Sequence, residues 1–289
     1  MNNQLLILGG GFGLYGYLPA AIKANWQVST LERYRNFLND RVELVSFVNQ
    51  ITFVQEESLD LDFYGGIVVA RNPVEQLNFV QQTSGFKGHY FLEKPIGATP
   101  DSSQELLDHL QSRVCTFSIA YLFRYQDWYE KILSSMGADY TLAINWKVSR
   151  AKHNSWKNED LHGGGLLSYY GIHLLSLITE LESKVDNLEV FYEPDILRIN
   201  SYESSRVFQI ELATSLSPAF DISLSSPGEI YNWSGASPFG STPVAGFPDP
   251  RIPALAQYLT HSRGQIDSNS VILQEQRIQD LRKTISQVL

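Results

Sequence analysis

A chain of 289 residues with 43% apolar and 18% charged side chains can bury one large core or two medium ones. Its formal net charge of −9, with no clustered Lys/Arg tract, argues against a nucleic-acid surface. The only cysteine, Cys115, excludes a disulfide or a cysteine metal cluster within this sequence, and its neighbours Val114 and Phe117 mark it as core filler. No apolar stretch reaches ~18 residues, so no membrane span is expected. With no basic leader or apolar signal segment at the start, a cytoplasmic location is the default expectation.

In chain order, short apolar runs stand at Leu5–Leu8, Gln27–Leu31, Val42–Phe47, Gly66–Ala70, Tyr90–Leu92 and Val114–Ala120. Amphipathic stretches such as Leu18–Lys23 and Val74–Gln82 separate several of them, and Thr99-Pro100-Asp101 is a helix start with a cap, a first-turn proline and an acid. This alternation predicts a parallel sheet covered by helices, a Rossmann domain over residues 1–119. The pattern then changes. A helix is predicted over Gln126–Met136, a strand over Tyr140–Ser149, a glycine-opened apolar helix over Gly163–Ile178, and strands at Leu188–Tyr192, Val207–Ala213 and Phe220–Ser225. Ser234–Pro253 reads as loop, and Ala254–His261 and Val271–Val288 as closing helices. The fold class is therefore α/β: a Rossmann dinucleotide-binding domain, then an α+β domain over 120–289 with a mostly antiparallel open sheet. The closing helices are candidates to pack back on the first domain.

The turn Gly11-Phe12-Gly13-Leu14-Tyr15-Gly16 follows a strand and opens a helix, the setting that holds a dinucleotide pyrophosphate at a helix N-terminus. Glu32, about 20 residues on at the end of the second strand, is placed to bond ribose hydroxyls, which favours NAD over NADP. Arg33 and Arg35 keep NADP open, because either can pair with a 2′-phosphate. Glu93-Lys94-Pro95 ends a later strand and brings an amine toward the same end of the sheet. No paired His/Glu at ligand spacing suggests a metal, and no Gly-x-Ser-x-Gly elbow stands between strand and helix.

Several segments together resemble the Gfo/Idh/MocA oxidoreductases, named after glucose-fructose oxidoreductase and inositol dehydrogenase. These are Gly11–Gly16 with Tyr17-Leu18-Pro19-Ala20, Ile67–Ala70 with Arg71-Asn72-Pro73, Gly88–Pro95, Tyr121–Tyr125, and Gly163–Leu167 with Gly171-Ile172-His173. The resemblance covers nearly the whole chain. It implies cofactor contacts from Gly11, Phe12, Gly13, Leu14, Tyr15, Glu32, Arg33, Ala70, Arg71, Asn72, Gln76, Glu93, Lys94 and Arg124. It implies Lys94 and His173 as the proton-handling pair. Their ordinary pKa values are near 10.4 and 6.5, and burial beside a cationic nicotinamide would bring the lysine toward neutrality. Glu93 would hold the cofactor or orient Lys94, and Pro95 would fix the backbone after the strand, in the family often through a cis bond.

This chain departs from the family pattern at particular places. Tyr169 stands where an aspartate usually precedes the histidine by four, and Ser176 where an acid usually follows it by three. These spacings put Tyr169, His173 and Ser176 on one helix face, polar but without carboxylates, and Tyr169 can still donate a proton. Arg71-Asn72 replaces a Thr-Pro, and Gln76 a histidine. Arg71 is placed to bind an anionic part of the substrate or the cofactor phosphates. The substrate contacts implied are Lys94, Trp156, Tyr169 and His173; Lys152, His153 and Lys157 read as a solvated loop, and His162 faces either cleft or solvent. Each residue also has a plainer reading: His173 as helix core, Tyr169 as packing, Arg124 as a structural pair.

The activity implied is NAD(P)-dependent hydride transfer on a hydroxyl or carbonyl carbon of a sugar, cyclitol or nucleotide sugar. The alternatives are a non-catalytic dinucleotide-binding sensor and a C=N reductase. The resemblance also implies a homodimer or homotetramer formed through the open sheet face at Tyr140–Ser149 and Val207–Ala213.

Overall fold

The computed structural model describes residues 2–136, 139–150, 155–182, 187–193, 195–203, 205–262 and 267–287. The chain divides into two compact units, Met1–Leu122 with Pro243–Leu273, and Phe123–Thr242 with Gln274–Leu289.

The first unit is built on six parallel strands: β1 Gln4–Leu8, β2 Gln27–Leu31, β3 Thr52–Val54, β4 Gly66–Val69, β5 His89–Leu92 and β6 Thr116–Ile119. Their order, β3-β2-β1-β4-β5-β6, is that of a doubly wound dinucleotide-binding sheet, with its switch point between β1 and β4. Apart from β3 at the edge, the strands are buried without alternation because the sheet is covered on both faces. Its helices are α1 Leu18–Lys23, α2 Arg35–Asn39, α3 Pro73–Gln82 and α4 Pro100–Gln111. Thr99 caps α4 by a reciprocal bond with Ser102, as the Thr-Pro-Asp start predicts. The run Val42–Phe47 is not a strand. Only Leu44 turns inward there, Val42 is 75% exposed, a 3₁₀ turn covers Val45–Gln50, and the third strand follows at Thr52.

A buried polar relay crosses this core. On β5, His89 Nδ1 lies 2.9 Å from Thr116 Oγ1 and Nε2 2.8 Å from Ser118 Oγ, and Ser118 Oγ donates to the Tyr258 hydroxyl at 2.9 Å. Cys115 is buried as expected.

The second unit carries α5 Asp127–Ser135, β7 Tyr140–Val148, α6 Ile172–Leu181, β8 Leu188–Glu193, β9 Ile196–Glu203, β10 Arg206–Thr214, β11 Ala219–Ser226 and β12 Glu229–Gly235. The sheet order is β12-β11-β7-β10-β9-β8, antiparallel at every pairing except β7 with β10. One face buries Leu142, Ile144, Trp146, Phe208, Ile210, Leu212, Phe220 and Ile222. Trp128 of α5 anchors this core, with its Nε1 donating to the Pro238 carbonyl at 2.8 Å and its ring against Phe123, Phe220 and Trp233. The opposite face is polar, with Asn145, Asn200, Gln209, Asp221, Asn232 and Ser234 lining one shallow hollow. Two closing helices follow, α7 Ile252–His261, which packs on α1, and α8 Ser268–Gln287. Among the described residues no helix is long and apolar enough to cross a membrane.

Candidate active site

The carboxyl ends of β1, β2, β4 and β5 gather the candidate residues of the first unit. The tight turn after β1 begins at Gly9, two residues before the turn read from the sequence. Gly9 has φ +129°, and a Cβ there would stand 2.1 Å from the Ala70 carbonyl oxygen, so no other residue lets β1 and β4 close at this point. Gly11 is also left-handed at φ +43°. Gly13 and Leu14 then donate to the Gly10 and Gly11 carbonyls at 2.9 and 3.0 Å. A π-helical turn, Gly13–Tyr17, leads into α1. The signal missed is that Gly9 and Gly11 themselves form the Gly-x-Gly directly after the strand. Leu14 is buried as core, Phe12 packs edge-on to Tyr17 beneath the Arg251 guanidinium, and Tyr15 packs on Phe37.

Glu32 is taken up by Arg35 through two bonds of 2.5 and 2.9 Å, and this pairing holds its carboxyl below the usual range. Arg33 Nη1 bonds Glu56 at 2.6 Å, and Arg71 Nη2 lies 3.4 Å from the same carboxylate. Asn72 is the cap of α3, its Oδ1 accepting from Glu75 N at 2.9 Å.

The Glu93-Lys94-Pro95 segment is held from two sides. Gln76, 0% exposed, donates its amide to the Glu93 carbonyl at 2.9 Å and the Ile96 carbonyl at 3.3 Å, and accepts from Glu93 N at 2.9 Å. Its amide is thus spent on backbone flanking Lys94. The Tyr17 hydroxyl donates to Glu93 Oε1 at 2.5 Å. Burial, and then the neighbouring Glu93 carboxylate, push the Tyr17 phenol well above its usual range, so it stays a donor. The Lys94–Pro95 bond is cis.

Trp156, Tyr169 and His173 belong to the second unit. Gly163 and Gly165 have φ of +81° and +76°, and a Cβ on Gly164 would stand 2.3 Å from the Trp156 carbonyl oxygen. This close approach folds Trp156 onto Tyr169, ring to ring at 5.6 Å, while Lys157 Nζ lies 5.1 Å over the Tyr169 ring. Tyr169 lies in a second π-helical turn, Leu166–Gly171, a feature concentrated at functional segments. Arg282 donates to Ser168 at 2.7 Å in the same turn. His173 follows in α6, 7% exposed and stacked on Phe123 at 4.8 Å. Ser176 accepts from Gln274 at 3.4 Å. Arg124 gives its Nη2 to Glu180 and, at 2.9 Å, to Gln274. His162 pairs with Glu159 at 2.6 Å on an exposed turn. Lys152 and His153 lie outside the described residues.

A doubly wound sheet with a glycine turn, followed by a mixed six-stranded open sheet, is the architecture of Gfo/Idh/MocA oxidoreductases, and this chain has that fold. It is similar to the WlbA dehydrogenase from Bordetella pertussis, solved with NADH and UDP-GlcNAcA (TM-score 0.73, 12% identity, 99% of this chain and 96% of that one). It is similar to a Gfo/Idh/MocA family oxidoreductase from Vibrio cholerae (TM-score 0.72, 13% identity, 98% of each chain). A myo-inositol dehydrogenase from Corynebacterium glutamicum gives a TM-score of 0.70 at 11% identity over 98% of this chain and 96% of that one. At these identities the likeness is one of fold. No protein-family model matches the chain. No curated protein matches its sequence.

Proposed function

We propose that the chain is an NAD-dependent oxidoreductase of the Gfo/Idh/MocA type, acting on a hydroxyl or carbonyl carbon of a sugar, cyclitol or nucleotide sugar. The observation that carries this reading is the double hold on Glu93-Lys94: Gln76 on the backbone and Tyr17 on the Glu93 carboxylate. Such fixation of the backbone that carries one amine, at the carboxyl edge of a dinucleotide-type sheet, suits a proton-handling role. The Gly9 cradle, which a Cβ would fill, and the Glu32 carboxylate after β2 fit a dinucleotide. The substrate class is supported by the fold neighbours, one solved with UDP-GlcNAcA and one a myo-inositol dehydrogenase.

Bound NAD supplies the hydride acceptor, or the donor in the reverse direction. In this reading Lys94 takes the proton from the substrate hydroxyl as the carbon is oxidised, and returns it in reduction. His173 is the second acid/base group, and the Tyr169 hydroxyl assists as a hydrogen-bond donor beside Trp156 and Lys157. The polar outer face of the second sheet is where a homodimer or homotetramer would form, which light scattering at micromolar concentration reads directly.

The test pairs binding with turnover. Calorimetric titration should show NAD binding tighter than NADP, because an acid at the end of the second strand accepts from ribose hydroxyls and offers a 2′-phosphate no donor. Nicotinamide absorbance should then change with at least one member of a panel of sugars, cyclitols and nucleotide sugars. Tight dinucleotide binding with no turnover on the panel would favour a sensor or a C=N reductase and overturn the substrate class.

A further inference from the structure

Three charged side chains stand just past the ends of three strands of the first sheet: Arg33 after β2, Glu56 after the adjacent β3, and Arg71 after β4 on the far side of β1. Glu56 divides its carboxylate between the two arginines. Oε2 takes Arg33 Nη1 at 2.6 Å, and Oε1 lies 3.4 Å from Arg71 Nη2. Arg71 is further packed over the Phe79 ring at 5.3 Å. Arg33 lies 5.2 Å from the Tyr34 ring, whose edge is 3.6 Å from where a Cβ on Gly10 would stand. The cluster therefore adjoins the glycine turn. Glu32 takes no part in it, since both its oxygens bond Arg35, which is itself laid over Phe53 at 3.8 Å.

The two pairs differ in what they leave available. Glu32 and Arg35 neutralise each other. Arg33 and Arg71 both turn their guanidinium groups to one carboxylate, that of Glu56, while Glu57 acts on Arg33 from farther off. A phosphate monoester on the adenosine ribose is recognised by an arginine near the end of the second strand. Arg33 is such an arginine, and its fork is already engaged by Glu56.

We propose that Glu56 is a specificity-determining residue: by pairing Arg33 and Arg71 it denies a 2′-phosphate its guanidinium and keeps the site on NAD. This rests on reading the carboxyl edge of the first sheet as a dinucleotide site. Removing the carboxylate would release Arg33 and delete a negative charge from beside its guanidinium. A charge-assisted hydrogen bond gained in this way is worth about tenfold in binding or more.

The experiment is a binding titration without substrate, comparing NAD and NADP on the wild type and on Glu56→Gln, which keeps the side-chain shape. Glu56 is 45% exposed, so the substitution leaves the core untouched. The NADP-to-NAD affinity ratio should rise about tenfold or more, and adding Arg33→Ala should cancel the gain. Raising the salt concentration should shrink it, as for any exposed charge contact. An unchanged ratio in Glu56→Gln, or a gain that survives Arg33→Ala, overturns the inference while NAD binding by the wild type keeps the dinucleotide reading intact. Wild type that binds neither nucleotide overturns both.

Discussion

Lys94→Ala is expected to leave dinucleotide affinity nearly unchanged and to lower turnover by ~100-fold or more, the usual scale for a positioned acid/base. The contrast follows from how the segment is built. The Gln76 clamp reaches the backbone of Glu93 and Ile96, and the Tyr17 bond reaches the Glu93 carboxylate. None of these bonds uses the Lys94 side chain, so all of them survive its removal. Single-turnover rates and a cofactor titration on the same preparation separate the two effects. Lys94→Arg keeps a positive charge on a group that does not give up its proton in proteins, so it should bind cofactor and still turn over poorly. Full activity in Lys94→Ala would remove the lysine from the mechanism.

The second large effect concerns pH and sits away from the candidate site. In the unfolded chain His89 has the ordinary pKa near 6.5. Burial lowers it to about 3 in the fold, where Thr116 and Ser118 bond the neutral ring. The unfolded state therefore takes up the proton first. The stability contributed by neutral His89 is complete above about pH 6.5 and is lost progressively as pH falls from there toward 3. At pH 5 the loss is about 2 kcal/mol, at 1.36 kcal/mol per pKa unit. Urea melts of wild type and His89→Gln at pH 7 and pH 5 read it, since the variant lacks this component and should lose less by that amount. A His89 ring resonance that titrates near pH 6.5 in the folded protein would overturn the prediction.

What was legible in the sequence had a local cause. Parallel strands covered on both faces lack the polar alternation of a half-exposed strand; β1, β4 and the Tyr90–Leu92 part of β5 stood out as apolar runs, while β2 and β6 carry Ser and Thr within theirs. β3 did not, because three residues at a sheet edge carry little pattern, while the more apolar Val42–Phe47 belongs to turns. β9 and β12 also escaped, the first because the polar Ser201 takes a buried position after Leu197 and Ile199, the second because Ile230 points outward at an exposed edge. Site residues named by a short contiguous motif, such as Lys94 and His173, could be proposed from their neighbours in sequence. The partners of those residues could not. Gln76 meets Glu93, Tyr17 meets Glu93, and Glu56 meets Arg33 and Arg71 only through strand order. Tyr169 could be placed on the His173 helix by spacing, but the π-helical turn that carries it, and the Trp156 packing that Gly164 permits, are tertiary facts.

The division of the first unit into two stretches bears on the order in which the protein is made. Domains ordinarily fold as they emerge from the ribosome, the N-terminal one first. Here Met1–Leu122 emerges long before α7, yet α7 is the helix that lies on α1, brings Tyr258 to Ser118 and Phe91, and follows the Arg251 that covers Phe12. The second unit waits as well, since Ser168 receives its bond from Arg282. Translation therefore delivers both halves unfinished and completes them together from one short closing stretch. A nascent chain halted at residue 242 would own two sheets and neither finished domain.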